Sequence, residues 1–178
     1  KHTRLLIIPA ILLSACTHND TPATQATIDQ NPFYVERHSE DIIKMLTEFS
    51  VRDDAILDDA QKAKYIGRQK ERWTLRAQAA RDKQRQGTDG HFVLVDEHTH
   101  GKALLLYNIL SFDTAFSVVP SPTLRVYLST AVDPRDADFP DETALDLGPL
   151  QSHFGPQQYL LHKELTDLNT CLLYTSDA

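Results

Sequence analysis

The sequence predicts an α+β protein, with an N-terminal helical segment followed by a mostly antiparallel β domain of sandwich or barrel-like form. Three observations carry that expectation. Between residues 37 and 87 apolar side chains recur at helical spacing, and no proline interrupts them. From Gly90 onward the pattern changes to short apolar runs separated by turns that carry glycine or proline. Charge divides near the same point: Gln61 to Gln86 holds nine basic and two acidic residues, a net +7, whereas Gly87 to Ala178 holds four basic and thirteen acidic, a net -9. The whole chain has 178 residues and a net charge of -7, which suits one ordinary domain with additions. With 41% hydrophobic residues and six glycines it is neither disordered nor collagen-like. Two cysteines, Cys16 and Cys171, are too few for a disulfide-stapled scaffold or a zinc ribbon.

The chain opens on Lys1-His2-Thr3-Arg4, then nine residues from Leu5 to Leu13 that are apolar apart from Pro9, then Ser14-Ala15-Cys16. Nine residues cannot cross about 30 Å of hydrocarbon as a helix, which takes roughly 20. A basic start, a short apolar run and small residues before a cut form the pattern of a secretory signal peptide over residues 1–15. Leu13-Ser14-Ala15-Cys16 resembles the lipobox of bacterial lipoproteins, which implies that Cys16 is the site of lipid attachment and the mature N-terminus. Residues 16–36 then read as a lipidated, flexible tether, since Thr17 to Asn31 is polar and without hydrophobic period. Thr17 and His18 follow the anchor where an aspartate would favour retention in the inner membrane. By resemblance to lipoprotein sorting this places the protein in the bacterial envelope, on the periplasmic face of the outer membrane.

Ser39 precedes Glu40 and Asp41, which supply negative charge to a first helical turn, and Ile42, Met45, Leu46 and Phe49 follow at helical spacing. A second helix is expected to begin near Asp53 or Asp54, run to Gln86 and stop at Gly87. Its apolar stripe, Ile56, Ala60, Ala63, Ile66, Trp73, Ala77 and Ala80, is thin and rich in alanine, so most of the helix should be solvated. Its positive charge suits either a solvated face, or one packed on the acidic half, or a surface laid on anionic lipid. Export from the cytoplasm argues against nucleic acid as the partner of this basic helix.

Strands are expected at His91 to Val95, Ala103 to Ile109, Leu124 to Ser129 and Gln157 to Leu161. In Leu124-Arg125-Val126-Tyr127-Leu128 the alternation assigns Leu124, Val126 and Leu128 to a buried face, and Arg125 and Tyr127 to a wetter one. His100-Gly101, Pro120-Ser121-Pro122, Asp133-Pro134, Gly148-Pro149 and Gly155-Pro156 punctuate the runs. Trp73, Tyr107, Tyr127 and Tyr159 are expected in core or sheet packing.

Several blocks in this half resemble a family. Gly90-His91-Phe92, then His98-Thr99-His100-Gly101, then Ala103-Leu104-Leu105 is similar to the opening hairpin of the DM-thirteen electron-transfer domain. Leu124-Arg125-Val126-Tyr127-Leu128-Ser129, Asp146-Leu147-Gly148-Pro149-Leu150, Gly155-Pro156-Gln157-Gln158-Tyr159 and Asp167-Leu168-Asn169-Thr170 resemble its later blocks in order and spacing. The resemblance covers residues 88–170. It implies an extracytoplasmic β-sandwich-like domain, with redox or electron transfer through a cysteine in the strand after the last turn. Two departures stand out. Ser121-Pro122-Thr123 occupies the place of a Gly-Pro-Asp-like turn, and Cys171 comes several residues too early to match the family's cysteine. Residues 171–178 resemble translated adapter sequence, so they read as a non-native tail, and no redox residue is identifiable in this chain.

The remaining constellations are expected to be structural. His98 and His100 lie two apart and are candidate metal ligands, but a stable site needs a third and usually a fourth. His91, Asp96, Glu97, His153 and His162 are the available additions, and the pair reads more simply as a polar hairpin turn. Asp133, Asp136, Asp138, Asp141 and Glu142 form an acidic loop without the ligand order of a calcium-binding hand. No nucleophile elbow, phosphate-binding loop, dinucleotide fingerprint or zinc-protease helix occurs. The expectation is therefore a non-enzymatic envelope protein without a cofactor, with no catalytic residue, anchored to a membrane and meeting a protein partner there. Its function is either the redox role the resemblance implies or binding and scaffolding.

Overall fold

The computed structural model describes residues 28–52, 59–92, 99–133, 139–140, 143–161 and 168–175. It is an α+β fold. Helices α1 (Pro32–Arg52) and α2 (Ala60–Gln84) form an antiparallel hairpin, and seven strands follow: β1 (Thr88–His91), β2 (Lys102–Leu106), β3 (Ile109–Phe112), β4 (Leu124–Ser129), β5 (Leu145–Pro149), β6 (Gln157–Leu160) and β7 (Thr170–Thr175).

α1 starts earlier than the charge pattern of Ser39 suggests. Asn31 is its N-cap: the Asn31 Oδ1 accepts from the backbone N–H of Phe33 at 3.0 Å and of Tyr34 at 3.4 Å, and Pro32 takes the first helical position, where its missing N–H costs nothing. Ser39 sits inside the helix, fully buried, its hydroxyl donating to the Val35 carbonyl at 2.6 Å. The helical segment thus takes in the last residues of what reads in sequence as a tether. α2 begins after Asp59, whose carboxylate accepts from the Gln61 and Lys62 N–H groups at 2.9 and 3.1 Å. Asp53, Asp54 and Ile56 lie outside the described residues. The expected thin stripe holds in part: Ile66, Ala77 and Ala80 are buried and Trp73 half-buried, whereas Ala60 and Ala63 at the start of α2 are exposed. Gly87 follows the helix, and a Cβ there would come within 2.6 Å of the Leu105 carbonyl oxygen, so the chain can turn tightly onto β2 only without a side chain.

The strands form two antiparallel sheets, a four-stranded one in the order β1-β2-β3-β6 and a three-stranded one in the order β5-β4-β7. Between them lies one core of Leu110, Phe112, Phe116, Val118, Leu124, Val126, Leu128, Tyr159 and Leu161. Phe112 is fully buried and packs its ring against those of Phe92, Phe116 and Tyr159 at centroid distances of 5.1, 4.7 and 5.6 Å.

Three strand expectations need correction. The single run Ala103 to Ile109 is two strands, β2 and β3, joined by a tight turn at Tyr107 and Asn108. Tyr107 adopts φ 55°, and its side chain is 82% exposed instead of packed. The first strand begins at Thr88, three residues before the expected His91, and residues 93–98 lie outside the described set. Tyr127, assigned to the wetter face of β4, is buried beneath Phe139 and Tyr174, whose rings approach it edge-on at 5.2 and 6.3 Å.

The stretch that reads as a tail also has a place. Thr170–Thr175 pairs with all six residues of β4 as β7, and Cys171 faces Leu128 across the ladder. Residues 176–178 lie outside the described set.

Candidate functional site

Among the described residues the sequence-derived candidates do not converge. Cys16 and His98 lie outside the described residues, as do Asp96, Glu97, His162, Asp136, Asp138, Asp141 and Glu142. His100 forms a β-bridge with Ser117, donating its N–H to the Ser117 carbonyl at 2.8 Å and accepting from the Ser117 N–H at 3.1 Å. His91 is exposed on the edge strand β1, and His153 places its Nε2 3.2 Å from both the backbone N and O of Ser121. Among the described residues no group of three His, Cys, Asp or Glu could hold a metal ion.

Cys171 is a free thiol packed against the core; the residue keeps some surface, but its sulfur is enclosed. Burial pushes that thiol up to about 12, so at neutral pH it stays protonated and is a poor nucleophile.

Polar side chains do converge where the hairpin meets the sandwich. Asn31, wholly buried, donates from Nδ2 to the Phe112 carbonyl at 2.8 Å, with the Gln157 carbonyl at 3.5 Å. Phe112 and Gln157 are cross-strand partners at the end of the β3–β6 ladder. One amide therefore caps α1 with its oxygen and ties that helix to the sheet with its nitrogen. A few residues along, Arg81 of α2 donates to Glu36 and Glu40 of α1 at 3.1 and 3.0 Å, and Gln84 donates to Glu36 at 2.6 Å. These bonds brace the two helices at the end nearest the sheet.

Gln157 organises the loop before β6. Its Oε1 accepts from the Tyr159 hydroxyl at 2.8 Å and from the N–H groups of Gln151 and Ser152, each at 3.2 Å, while its Nε2 donates to the Ser152 carbonyl at 2.8 Å. The adjacent Gln158, turned to the other face, donates to the Ser111 hydroxyl at 2.9 Å. The Gly155-Pro156-Gln157-Gln158-Tyr159 block thus supplies buried amides that satisfy a loop, which is a structural role.

Burial pushes the Tyr159 phenol up to about 12, against an ordinary value of 10.0. A raised value means that the fold favours the neutral form. Its contribution to stability is complete below about pH 10 and is lost as pH rises through 12; Cys171 adds a loss that starts from about pH 9. The urea midpoint should therefore fall steeply across this alkaline window. Tyr159→Phe should retain only the Cys171 share of the decline, which runs from about pH 9 to about 12, and Tyr159→Phe/Cys171→Ala should remove both shares. An unchanged slope in the double variant would refute the assignment.

The hairpin carries a different kind of surface. Trp73 is half-buried on α2, edge-on to the His38 ring at 5.6 Å, and His38 stacks on Tyr34 at 5.6 Å. The guanidinium groups of Arg72 and Arg76 lie 5.8 and 5.4 Å from the centre of the Trp73 ring. Among the described residues no helix is long and apolar enough to cross a membrane.

No protein-family model, curated protein or solved structure matches this chain. The fold and the junction define an α+β protein in which a helical hairpin is fastened by polar side chains to a two-sheet β-sandwich.

Proposed function

We propose that the chain is a bacterial envelope lipoprotein, anchored through Cys16, in which the helical hairpin presents a DM-thirteen-like β-sandwich as a non-enzymatic binding or scaffolding module. The observation that supports this reading is the Asn31 latch. It joins the first turn of α1 to the β3–β6 ladder, so hairpin and sandwich form one body and not a domain on a loose stalk. The family-like blocks around Gly90, Ala103, Leu124, Asp146 and Gln157 each include residues of one strand, β1, β2, β4, β5 and β6, which supports the resemblance. Electron transfer, which that resemblance implies, calls for a redox group. The enclosed, protonated Cys171 thiol suits that task poorly.

Two measurements on the same chain test the reading. A labelled fatty acid should incorporate into the parent protein and not into Cys16→Ala; equal labelling of both, or of neither, would remove the anchor. Purified Cys16→Ala protein should show neither visible absorption nor a titratable couple, and a reproducible midpoint potential would restore electron transfer as the function.

A further inference from the structure

We propose that the hairpin flank around Trp73 is a membrane-contact surface that lies on anionic lipid; the choice of lipid over other anionic partners rests on the envelope reading above. The flank is assembled from both helices. At about 100° per residue, Tyr34, His38, Met45 and Phe49 share one side of α1. Tyr65, Arg72, Arg76 and Lys83 fall within about 40° of one another on α2. The His38–Trp73 contact sets these two rows side by side. Met45, Phe49 and Tyr65 are 55%, 54% and 56% exposed, although the first two belong to the apolar positions of an amphipathic helix.

The cations lie on the α2 side of this flank; on α1, Asp41 and Glu48 fall about 20° and 40° from Tyr34 beside the apolar row, and Asp41 pairs with Arg37 at 3.4 Å. Glu71 and Asp82, the carboxylates of α2, lie about 100–120° around that helix from the row. Glu36 and Glu40 turn the other way, where they meet Arg81 and line a cleft with Lys102 and Asp113 beside the sheet. Among the described residues Arg72, Arg76 and Lys83 engage no carboxylate. What remains is an aromatic and apolar row bordered on its α2 side by Arg72, Arg76 and Lys83. That combination matches an anionic bilayer surface, where indole and phenol rings settle among headgroups and the stems of Arg and Lys lie along apolar surface with their charges outward. Position agrees with this. Asn31 lies fifteen positions after Cys16, so a lipid on Cys16 keeps the start of α1 within about 50 Å of the bilayer.

Trp73 is the only tryptophan in the sequence, so its fluorescence reports on this flank alone. The full chain carrying Cys16→Ala is mixed with vesicles of phosphatidylglycerol and phosphatidylethanolamine, with vesicles of phosphatidylcholine, and with brominated versions of each. The expected result is a blue shift and bromine quenching with the anionic vesicles only, reversed by high salt. Arg72→Gln/Arg76→Gln should weaken this response about thirtyfold, the loss of two surface cations, and Arg72→Glu/Arg76→Glu should weaken it by more. Arg37→Glu/Lys44→Glu changes net charge equally, about 100° around α1 from the middle of the apolar row, and should leave most of the response in place. Circular dichroism checks that every variant is folded. Equal quenching by neutral lipid, equal sensitivity to both charge reversals, vesicle binding without a Trp73 response, or a response only to envelope protein would each overturn the proposal. Because Cys16 is absent throughout, failure here leaves the fatty-acid result untouched, and failure of that labelling leaves this measurement interpretable.

Discussion

Phe112→Ala is expected to destabilise the protein by about 3–5 kcal/mol, the range for removing a fully buried aromatic ring and leaving a cavity. Three rings, Phe92, Phe116 and Tyr159, pack against it, and they come from different strands and loops that cannot all collapse into the gap. Since small domains have only about 5–15 kcal/mol in hand, the loss should be visible as a large fall in the urea midpoint. Phe112→Leu keeps most of the volume and should cost less than half as much. A loss below about 1 kcal/mol in the alanine variant would mean that the core is not centred on this residue.

Asn31→Ala comes next, at about 2–4 kcal/mol. It removes a helix cap, worth about 1 kcal/mol, and leaves the buried Phe112 carbonyl without its side-chain donor, worth about 1–3 kcal/mol. The two losses fall on different elements, so the effect has a signature. Trp73 fluorescence reports the hairpin, while the near-ultraviolet signal of the tyrosines is weighted towards the sandwich. In the parent the two transitions should coincide; in Asn31→Ala the hairpin should come loose at lower urea. Asn31→Asp separates the functions, because its carboxylate still caps α1 but turns acceptor against acceptor at the Phe112 carbonyl. It should keep the helix and lose the docking. Coincident transitions in all three proteins would refute the latch.

Some of this fold is legible in the residues themselves. The run Leu124 to Ser129 marks β4 to the residue, and Gln157 to Leu161 marks β6 to within one, because alternation and flanking prolines act locally. The thin stripe of α2 was legible over its C-terminal part, at Ile66, Ala77 and Ala80. The start of α1 was signalled by Asn31-Pro32, a capping residue before a proline, yet the polar residues before it pointed to a tether and Ser39 offered a competing cap. The β2–β3 turn carries no glycine, and a tyrosine at positive φ gives no sequence sign of itself. Tyr127 reads as half-wet because alternation describes one sheet, and the two rings that cover it come from elsewhere in the chain.

By itself, the sequence determined the class of fold, the division of charge and the placing of helices before strands, since these follow from local propensity and periodicity. Only the tertiary structure decided what Asn31, Gln157 and Trp73 do. Asn31 finds its acceptor 81 residues away, and Trp73 finds His38 on the neighbouring helix. Such pairings depend on which backbone groups the finished sheet leaves open and on which helix faces are already covered, and no local pattern of residues encodes either.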